Sequence, residues 1–103
     1  MYLIRDIMYC KPGKVRPMID KYKAMAALSE KLGMPKSRIM TDFCAERYWT
    51  IVSEMEVKDL QEFEAMMANP PGSEEDMKQF EEIMKDYHSL VDHGKREIYK
   101  IER

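Results

Sequence analysis

The sequence has few of the features that identify an enzyme or a membrane protein at first sight. Its 103 residues include two cysteines, and Cys10 and Cys44 have the spacing of neither a metal site nor a redox pair. The longest apolar runs are a few residues, far short of the roughly 20 that span a bilayer. Arg5 and Asp6 interrupt the N-terminal apolar residues, which argues against a signal peptide. We therefore expect a cytoplasmic chain with no membrane contact and no intrachain disulfide.

An excess of one charge is also missing. The chain carries 17 basic and 19 acidic residues, a formal net charge of −2, which gives no electrostatic footprint for nucleic acid. There is no Ser-His-Asp order, no glycine-rich phosphate loop and no H-E-x-x-H metal motif. The length fits a single domain, residues 1–103.

The first third of the chain predicts a strand followed by a long helix. Apolar side chains alternate on both faces of residues 2–10, and the Lys11-Pro12-Gly13 segment ends this strand. A helix with one apolar stripe follows and stops at Gly33, and Pro17 is tolerated because it falls in the first turn. A strand that is apolar on both faces must be covered on both faces.

The rest of the chain predicts three strands and a divided helix. Strands are expected at 37–43 and 46–56, joined by a short Cys44-Ala45 hairpin. A helix over 58–68 is broken by residues 69–72, and a second helix starts at the N-cap Ser73 and keeps its apolar stripe to Val91. Asp92-His93-Gly94 is expected to form a turn before a last edge strand at 95–101.

This order, β-α-β-β-α-β with a split second helix, is typical of the ferredoxin-like α+β fold. It predicts a four-stranded antiparallel sheet with strands one and three central and the helices on one face. The other face would then be bare and apolar, and a bare apolar face is an interface. We expect a second copy of the chain to cover it, which gives a homodimeric α/β barrel.

The residues also resemble a known family. The segment Y-L-I-R-D-I-M-Y-C-K-P-G-K-V at 2–15 is similar to the opening of NIPSNAP-type domains, and the helix, break, helix and final R-E-I strand of 58–101 look like their closing half. The chain departs from that pattern at Pro70-Pro71-Gly72-Ser73 and in its eleven methionines. The resemblance implies a dimeric α/β barrel. It leaves the activity open, because relatives include haem-degrading and cofactor-free monooxygenases, isomerases and members without known activity.

Charged residues inside the strands are the first candidates for a site. Arg5 or Asp6 on strand one, and Glu54 on strand three, are expected to face a cleft between sheet and helices, since central strands offer little solvent. An Asp6 carboxylate beside an aromatic ring such as Trp49 would have a raised pKa and could abstract a proton. The alternative is that these charges form cross-strand or intersubunit ion pairs.

Trp49 and His88 complete the candidate set. The resemblance implies that a tryptophan on strand three shapes the pocket of related monooxygenases, although Trp49 could simply anchor the core. His88 could be a general base or an axial haem ligand, but its place just off the apolar stripe favours a surface or boundary residue. Haem-degrading relatives pair their histidine with a first-strand asparagine, and the one asparagine here is Asn69. We therefore expect no cofactor and no metal.

Two functions remain open at this point. The chain is expected to bind a small apolar or aromatic molecule in the sheet–helix cleft, as a cofactor-independent monooxygenase or isomerase, with Asp6 and His88 as catalytic residues and Arg5, Trp49 and Glu54 as substrate-binding residues. Alternatively, it is a non-catalytic ligand-binding or assembly module whose sheet serves dimerisation. An open cleft of at least about 300 Å³ with converging polar groups favours the first, and a cleft filled by its own side chains favours the second.

Overall fold

The structure, a computed structural model, describes residues 1–103. In chain order it contains β1 (Tyr2–Cys10), α1 (Val15–Lys31), β2 (Ser37–Thr41), β3 (Thr50–Val57), α2 (Leu60–Ala68), α3 (Glu74–Ile83), a short 3₁₀ turn (Tyr87–Ser89) and β4 (Val91–Lys100). This is the predicted β-α-β-β-α-β order with a divided second helix. No helix combines the length and the apolar character needed to cross a membrane.

The four strands form one antiparallel sheet in the order β2-β3-β1-β4. The prediction that strands one and three are central is therefore confirmed, and the ferredoxin-like α+β fold with it. β1 pairs with β3 from Tyr2↔Val57 to Tyr9↔Thr50 and with β4 from Tyr2↔Lys100 onward. Because side chains alternate along a strand, this register decides which residues share a face.

All helices pack on one face of the sheet, which we call the helix face. Met18 and Ile19 of α1 contact Cys10 and Ile51 in the buried core. Each such side chain contributes about 1.5–3 kcal/mol by leaving water. Gly33 follows α1 in a left-handed conformation with φ of 86°, as its predicted helix-stopping role requires.

Helix α3 is fixed at both ends. Ser73 and Asp76 form a capping box at its N-terminus: the Ser73 hydroxyl accepts from the Asp76 backbone N–H, and the Asp76 carboxylate accepts from the Ser73 backbone N–H. Lys21 of α1 donates from Nζ to the carbonyls of Ile83 (2.9 Å) and Lys85 (2.8 Å) at the other end. These bonds hold α3 beside α1 and satisfy carbonyls that the helix leaves free.

The predicted two-residue hairpin between β2 and β3 is wrong. Residues 42–49 form a longer loop, closed by hydrogen bonds in both directions between Asp42 and Thr50. Trp49 has a left-handed backbone with φ of 61°, and the Thr50 hydroxyl donates to the Arg47 carbonyl. Both features end the strand geometry, so β3 starts at Thr50 and Trp49 lies in the loop rather than on strand three.

The predicted end of the last helix is also wrong. α3 ends at Ile83 and Asp86 adopts a left-handed conformation with φ of 62°. β4 then starts at Val91, and Gly94 lies inside it rather than in a turn. A Cβ at Gly94 would come within 3.0 Å of the Ile7 carbonyl and 3.2 Å of Met8 Sδ. Gly94 thus marks a close approach of β4 to β1, not a turn.

The opposite side of the sheet, which we call the open face, has no helix over it. It carries Ile7 on β1 and Val52 on β3, but the expectation of a purely apolar surface is wrong. The register aligns four charges in one row across the sheet, namely Arg38, Glu54, Arg5 and Glu97. The signs alternate from strand to strand, so each charge has an opposite neighbour.

Candidate functional site

A cleft lies between the helix face of the sheet and helices α1 and α2. Its cavity is about 220 Å³, which is smaller than the roughly 300 Å³ expected of an open catalytic cleft. Four of the chain's eleven methionines line it: Met25, Met34, Met55 and Met67. Methionine side chains adapt to irregular shapes and contact aromatic rings favourably. At its polar end the cleft is lined by Asp6 and Tyr22.

A second cavity of about 360 Å³ shares Asp6 and Tyr22 and extends along β1 and β4, where Arg96 and Gly94 line it. The two spaces therefore meet at one polar cluster. Asp6 is the only carboxylate that lines either of them. The arrangement is an apolar cleft with a few polar groups at one end, which is the usual composition of a small-molecule site.

Asp6 and Arg96 form a two-bond ion pair. They are direct partners in the β1–β4 register, and the Arg96 guanidinium donates to Oδ1 from Nε (2.5 Å) and to Oδ2 from Nη2 (3.2 Å). The hydrogen bond to Asp6 raises the pKa of Arg96 above its usual value. The guanidinium carbon lies 5.2 Å from the ring centroid of Phe63 on α2, so the ring and the carboxylate together fix its position.

Tyr22 supplies the third group of the cluster. Burial, and then the charge of Asp6, raises the pKa of Tyr22 to about 12. The phenol therefore keeps its proton throughout the physiological range, and it can donate a hydrogen bond to a ligand in either cavity. Proton transfer from Tyr22 near neutral pH is correspondingly disfavoured.

Arg5 and Glu54 do not join Asp6 in this cleft. Neighbouring residues of a strand point to opposite faces, so Arg5 lies on the open face while Asp6 lies on the helix face. There the Glu54 carboxylate accepts from Arg5 Nε (2.7 Å) and Arg38 Nη2 (2.9 Å). Burial would raise the pKa of Glu54, but the hydrogen bonds and charges of the two arginines outweigh it and lower the pKa.

Trp49 and His88 also lie apart from Asp6. The Trp49 carbonyl accepts from the Cys10 backbone N–H at 2.8 Å, and Cys10 is about 13 Å along β1 from Asp6 at the usual rise per residue. His88 is exposed on the 3₁₀ turn, with its ring 4.0 Å from that of Tyr87. Neither residue lines the two cavities that meet at Asp6. The structure therefore divides the predicted site residues among four places: the cleft, the open face, the loop before β3 and the 3₁₀ turn.

Sequence reasoning missed Tyr22 and Arg96. Tyr22 belongs to the apolar stripe of α1, where a phenol cannot be told from a packing residue. Arg96 could have been found, because an antiparallel pairing of β1 with the final strand offers a cation as partner for Asp6. The expected alternative for Asp6, a cross-strand ion pair, is what the structure shows. No three His, Cys, Asp or Glu side chains lie close enough together to hold a metal ion.

Comparison with known proteins supports the fold. No protein-family model matches the sequence, and none of the curated proteins does. Among solved structures, an uncharacterised NIPSNAP-like domain protein from Burkholderia xenovorans superposes with a TM-score of 0.72 at 11% identity, covering 97% of this chain and 84% of its own. A Nitrosomonas europaea protein, provisionally named an antibiotic biosynthesis monooxygenase, has a TM-score of 0.69 at 12% identity with full coverage of both chains, 100% each.

A third similar structure is a dimeric protein of unknown function with a ferredoxin-like fold from Bacteroides fragilis. It has a TM-score of 0.55 at 15% identity and covers 97% of this chain and 96% of its own. Identities this low carry no information about activity. The predicted resemblance to NIPSNAP-like, ferredoxin-like proteins is confirmed as a likeness of fold.

Proposed function

We propose that this protein binds a small apolar or aromatic molecule in the cleft between its sheet and helices. The observation that carries the proposal is the junction of a methionine-lined cavity with the Asp6–Arg96–Tyr22 cluster. The methionines would accept the apolar body of the ligand. The Tyr22 hydroxyl and the outer edge of the ion pair would bind one polar substituent.

A reaction in this cleft would use Asp6 as the base. Cofactor-independent oxygenation or isomerisation begins with removal of a proton from an activated carbon or hydroxyl, and Asp6 is the carboxylate within reach. Both carboxylate oxygens of Asp6 already accept hydrogen bonds from Arg96, so a substrate proton would have to compete with the guanidinium for the same oxygens. The cleft therefore supports binding more directly than proton abstraction, and we assign His88 no part in it. The name of the Nitrosomonas europaea protein is compatible with the oxygenase reaction.

Nuclear magnetic resonance with 1-naphthol as the probe tests the binding proposal. Saturable shifts are expected at the amides of Tyr22, Ala26 and Met55, which surround the cleft. Ala26→Leu should fill the cavity and weaken binding about tenfold or more. Ala27→Leu is the matched control, since Ala27 is the exposed neighbour on the same helix. Equal binding by both variants, or shifts confined to another surface, would refute the proposal.

A second candidate function is assembly through the open face, and a specific observation favours it. The helices cover only one face of the sheet. The molecule measures 39 × 35 × 18 Å, so the uncovered face is one of its two broad sides. We propose that a second copy packs on this face. Ile7 and Val52 would provide apolar contact, and the alternating charge row could meet the same row of a two-fold-related copy in opposite order.

A further inference from the structure

We propose that the loop between β2 and β3 and the start of α1 form a second ligand site, selective for a flat aromatic molecule that carries a negative charge. The site is a cavity of about 400 Å³, lined by Gly13, Val15, Arg16, Thr41, Asp42, Tyr48 and Trp49. Its volume is in the range of small-molecule sites. It shares no residue with the two cavities that meet at Asp6, so it is independent of the function proposed above.

Two unpartnered aromatic rings form one wall of this cavity. Tyr48 is 82% exposed and Trp49 is 42% exposed. The ring–ring and cation–π pairs of the structure involve neither ring. Exposed tryptophan leaves apolar surface in water, and its π-face stacks well on another flat ring. These rings are therefore available to a planar ligand.

The backbone behind the rings is held firmly. The Trp49 carbonyl accepts from the Cys10 amide at 2.8 Å, and the Thr50 amide donates to Asp42 Oδ1 at 2.9 Å. Arg47 anchors the middle of the loop, with its guanidinium carbon 4.5 Å from the Tyr9 ring centroid and its Nη1 3.2 Å from His93 Nε2. A loop backbone that is already anchored loses little freedom on binding, which improves affinity.

The charge expected of the ligand follows from the α1 side of the cavity. Arg16 lines the cavity and forms no ion pair, and Lys11 and Lys14 lie in the same segment, which has no acidic residue from 7 to 19. Asp42 is the one acid in the lining, and one of its oxygens is committed to the Thr50 amide. A carboxylate on the ligand would therefore bind at the Arg16 side of the cavity.

The α1 wall of this cavity stays accessible in the proposed dimer. Val15 and Arg16 belong to α1, which packs on the helix face, so a copy on the open face would leave α1 uncovered. The cavity also contains the chain's only tryptophan. The indole N–H of Trp49 is thus an unambiguous reporter of this site.

The test uses 1-naphthoate as the probe, with the neutral 1-naphthamide and the non-aromatic cyclohexanecarboxylate as comparison ligands. We expect naphthoate to shift the Trp49 indole and Gly13 amide resonances saturably, and the other two to bind several-fold more weakly. Arg16→Gln should weaken naphthoate binding about threefold to tenfold, the usual effect of losing one exposed charge partner. It should leave naphthamide binding unchanged. Lys23→Gln, an exposed cation farther along α1, should change neither.

Tyr48→Ser is the second variant. Its side chain is almost free of contacts, so the fold should survive, while naphthoate binding should weaken through loss of one stacking face. Equal affinity for naphthoate and naphthamide, or the same affinity in the Arg16 and Lys23 variants, would overturn the proposal. So would naphthoate shifts confined to Tyr22 and Ala26. That last result would support the sheet–helix cleft, so the two proposals fail separately.

Discussion

At the scale of single residues, Glu54 is the most tightly constrained charge in the molecule. Its side chain is 7% exposed and accepts hydrogen bonds from Arg5 and Arg38. Glu54→Gln should lower the free energy of unfolding at pH 7 by about 1–3 kcal/mol, because the glutamine amide cannot accept both charged donors equally well. Urea denaturation at a fixed protein concentration measures the difference. Glu56→Gln, an exposed position on the same strand, should have almost no effect.

The pH dependence of this loss follows from the lowered pKa of Glu54. A carboxyl whose pKa is lower in the folded state stabilises the fold above its unfolded pKa of about 4.3, and the stabilisation disappears as the pH falls through the folded value. The gap between wild type and Glu54→Gln should therefore be full at pH 6–7 and narrow below about pH 4. A gap that widens on acidification would contradict the role assigned to the two arginines.

Trp49 provides a second residue-scale prediction, through its φ of 61°. Glycine adopts this left-handed conformation without the steric cost that a Cβ imposes. Trp49→Gly should therefore be more stable than Trp49→Ala by about 1 kcal/mol, measured by urea denaturation. At Tyr48, whose φ is not positive, the same pair of substitutions should show alanine equal to or better than glycine. The opposite order at Trp49 would show that the left-handed conformation is not maintained in solution.

At the scale of elements, α3 shows how local chemistry makes a short helix. It has 10 residues, too few to be stable by propensity alone, and depends on its capping box and on Lys21. Ser73→Ala removes the hydroxyl that accepts from the Asp76 amide and should cost about 1 kcal/mol. Gln79→Ala, in the exposed middle of the helix, should be neutral or slightly stabilising. Thermal unfolding followed by circular dichroism compares the two, and an equal effect would refute the capping role.

The elements that were predicted well are those with strong hydrophobic periodicity or with clear capping residues at their ends. β1, α1 and the Ser73 cap follow from alternation, a helical stripe and a capping residue, which are all local signals. The loop at 42–49 and the early start of β4 could not be predicted in this way. Tyr48 and Trp49 are strand-forming residues that the hydrogen bonds between Asp42 and Thr50 place in a loop. Gly94 predicts a turn from the sequence, but the structure shows that a glycine is needed there because β1 approaches β4 closely. Both outcomes depend on contacts between distant parts of the chain.

The candidate site shows the same limit more sharply. The sequence predicted that either Arg5 or Asp6 faces a cleft. The structure places Asp6 on the helix face, where it pairs with Arg96, 90 positions away. Arg5 and Glu54 were placed with it, although one step along a strand reverses the face. Which side chains share a site depends on the register of the strands, and the sequence alone did not determine that register.

At the scale of the whole molecule, the open face is the side of the sheet that no helix covers. Only ten of 103 residues are buried, and a domain normally covers each apolar sheet face with a second layer. Val52 lies near the centre of this face, between Ile7 of β1 and Met40 of β2. If a second copy supplies the missing layer, Val52→Lys should place an unpaired charge in the interface and convert a dimer into a monomer.

Sedimentation equilibrium over a wide concentration range measures this directly. Wild type should sediment as a dimer, and Val52→Lys should shift the dissociation constant by at least about a hundredfold, since an uncompensated buried charge costs about 3–5 kcal/mol. Leu60→Lys, an exposed apolar position at the start of α2, should remain dimeric. The charge row provides a further test. If the charge rows of two copies meet, Arg38→Glu alone should weaken the dimer. High salt should then raise the dissociation constant of the wild-type dimer without dissociating it fully. A wild-type protein that is monomeric at all concentrations would leave the open face as ordinary solvent-exposed surface and remove the basis for an α/β barrel.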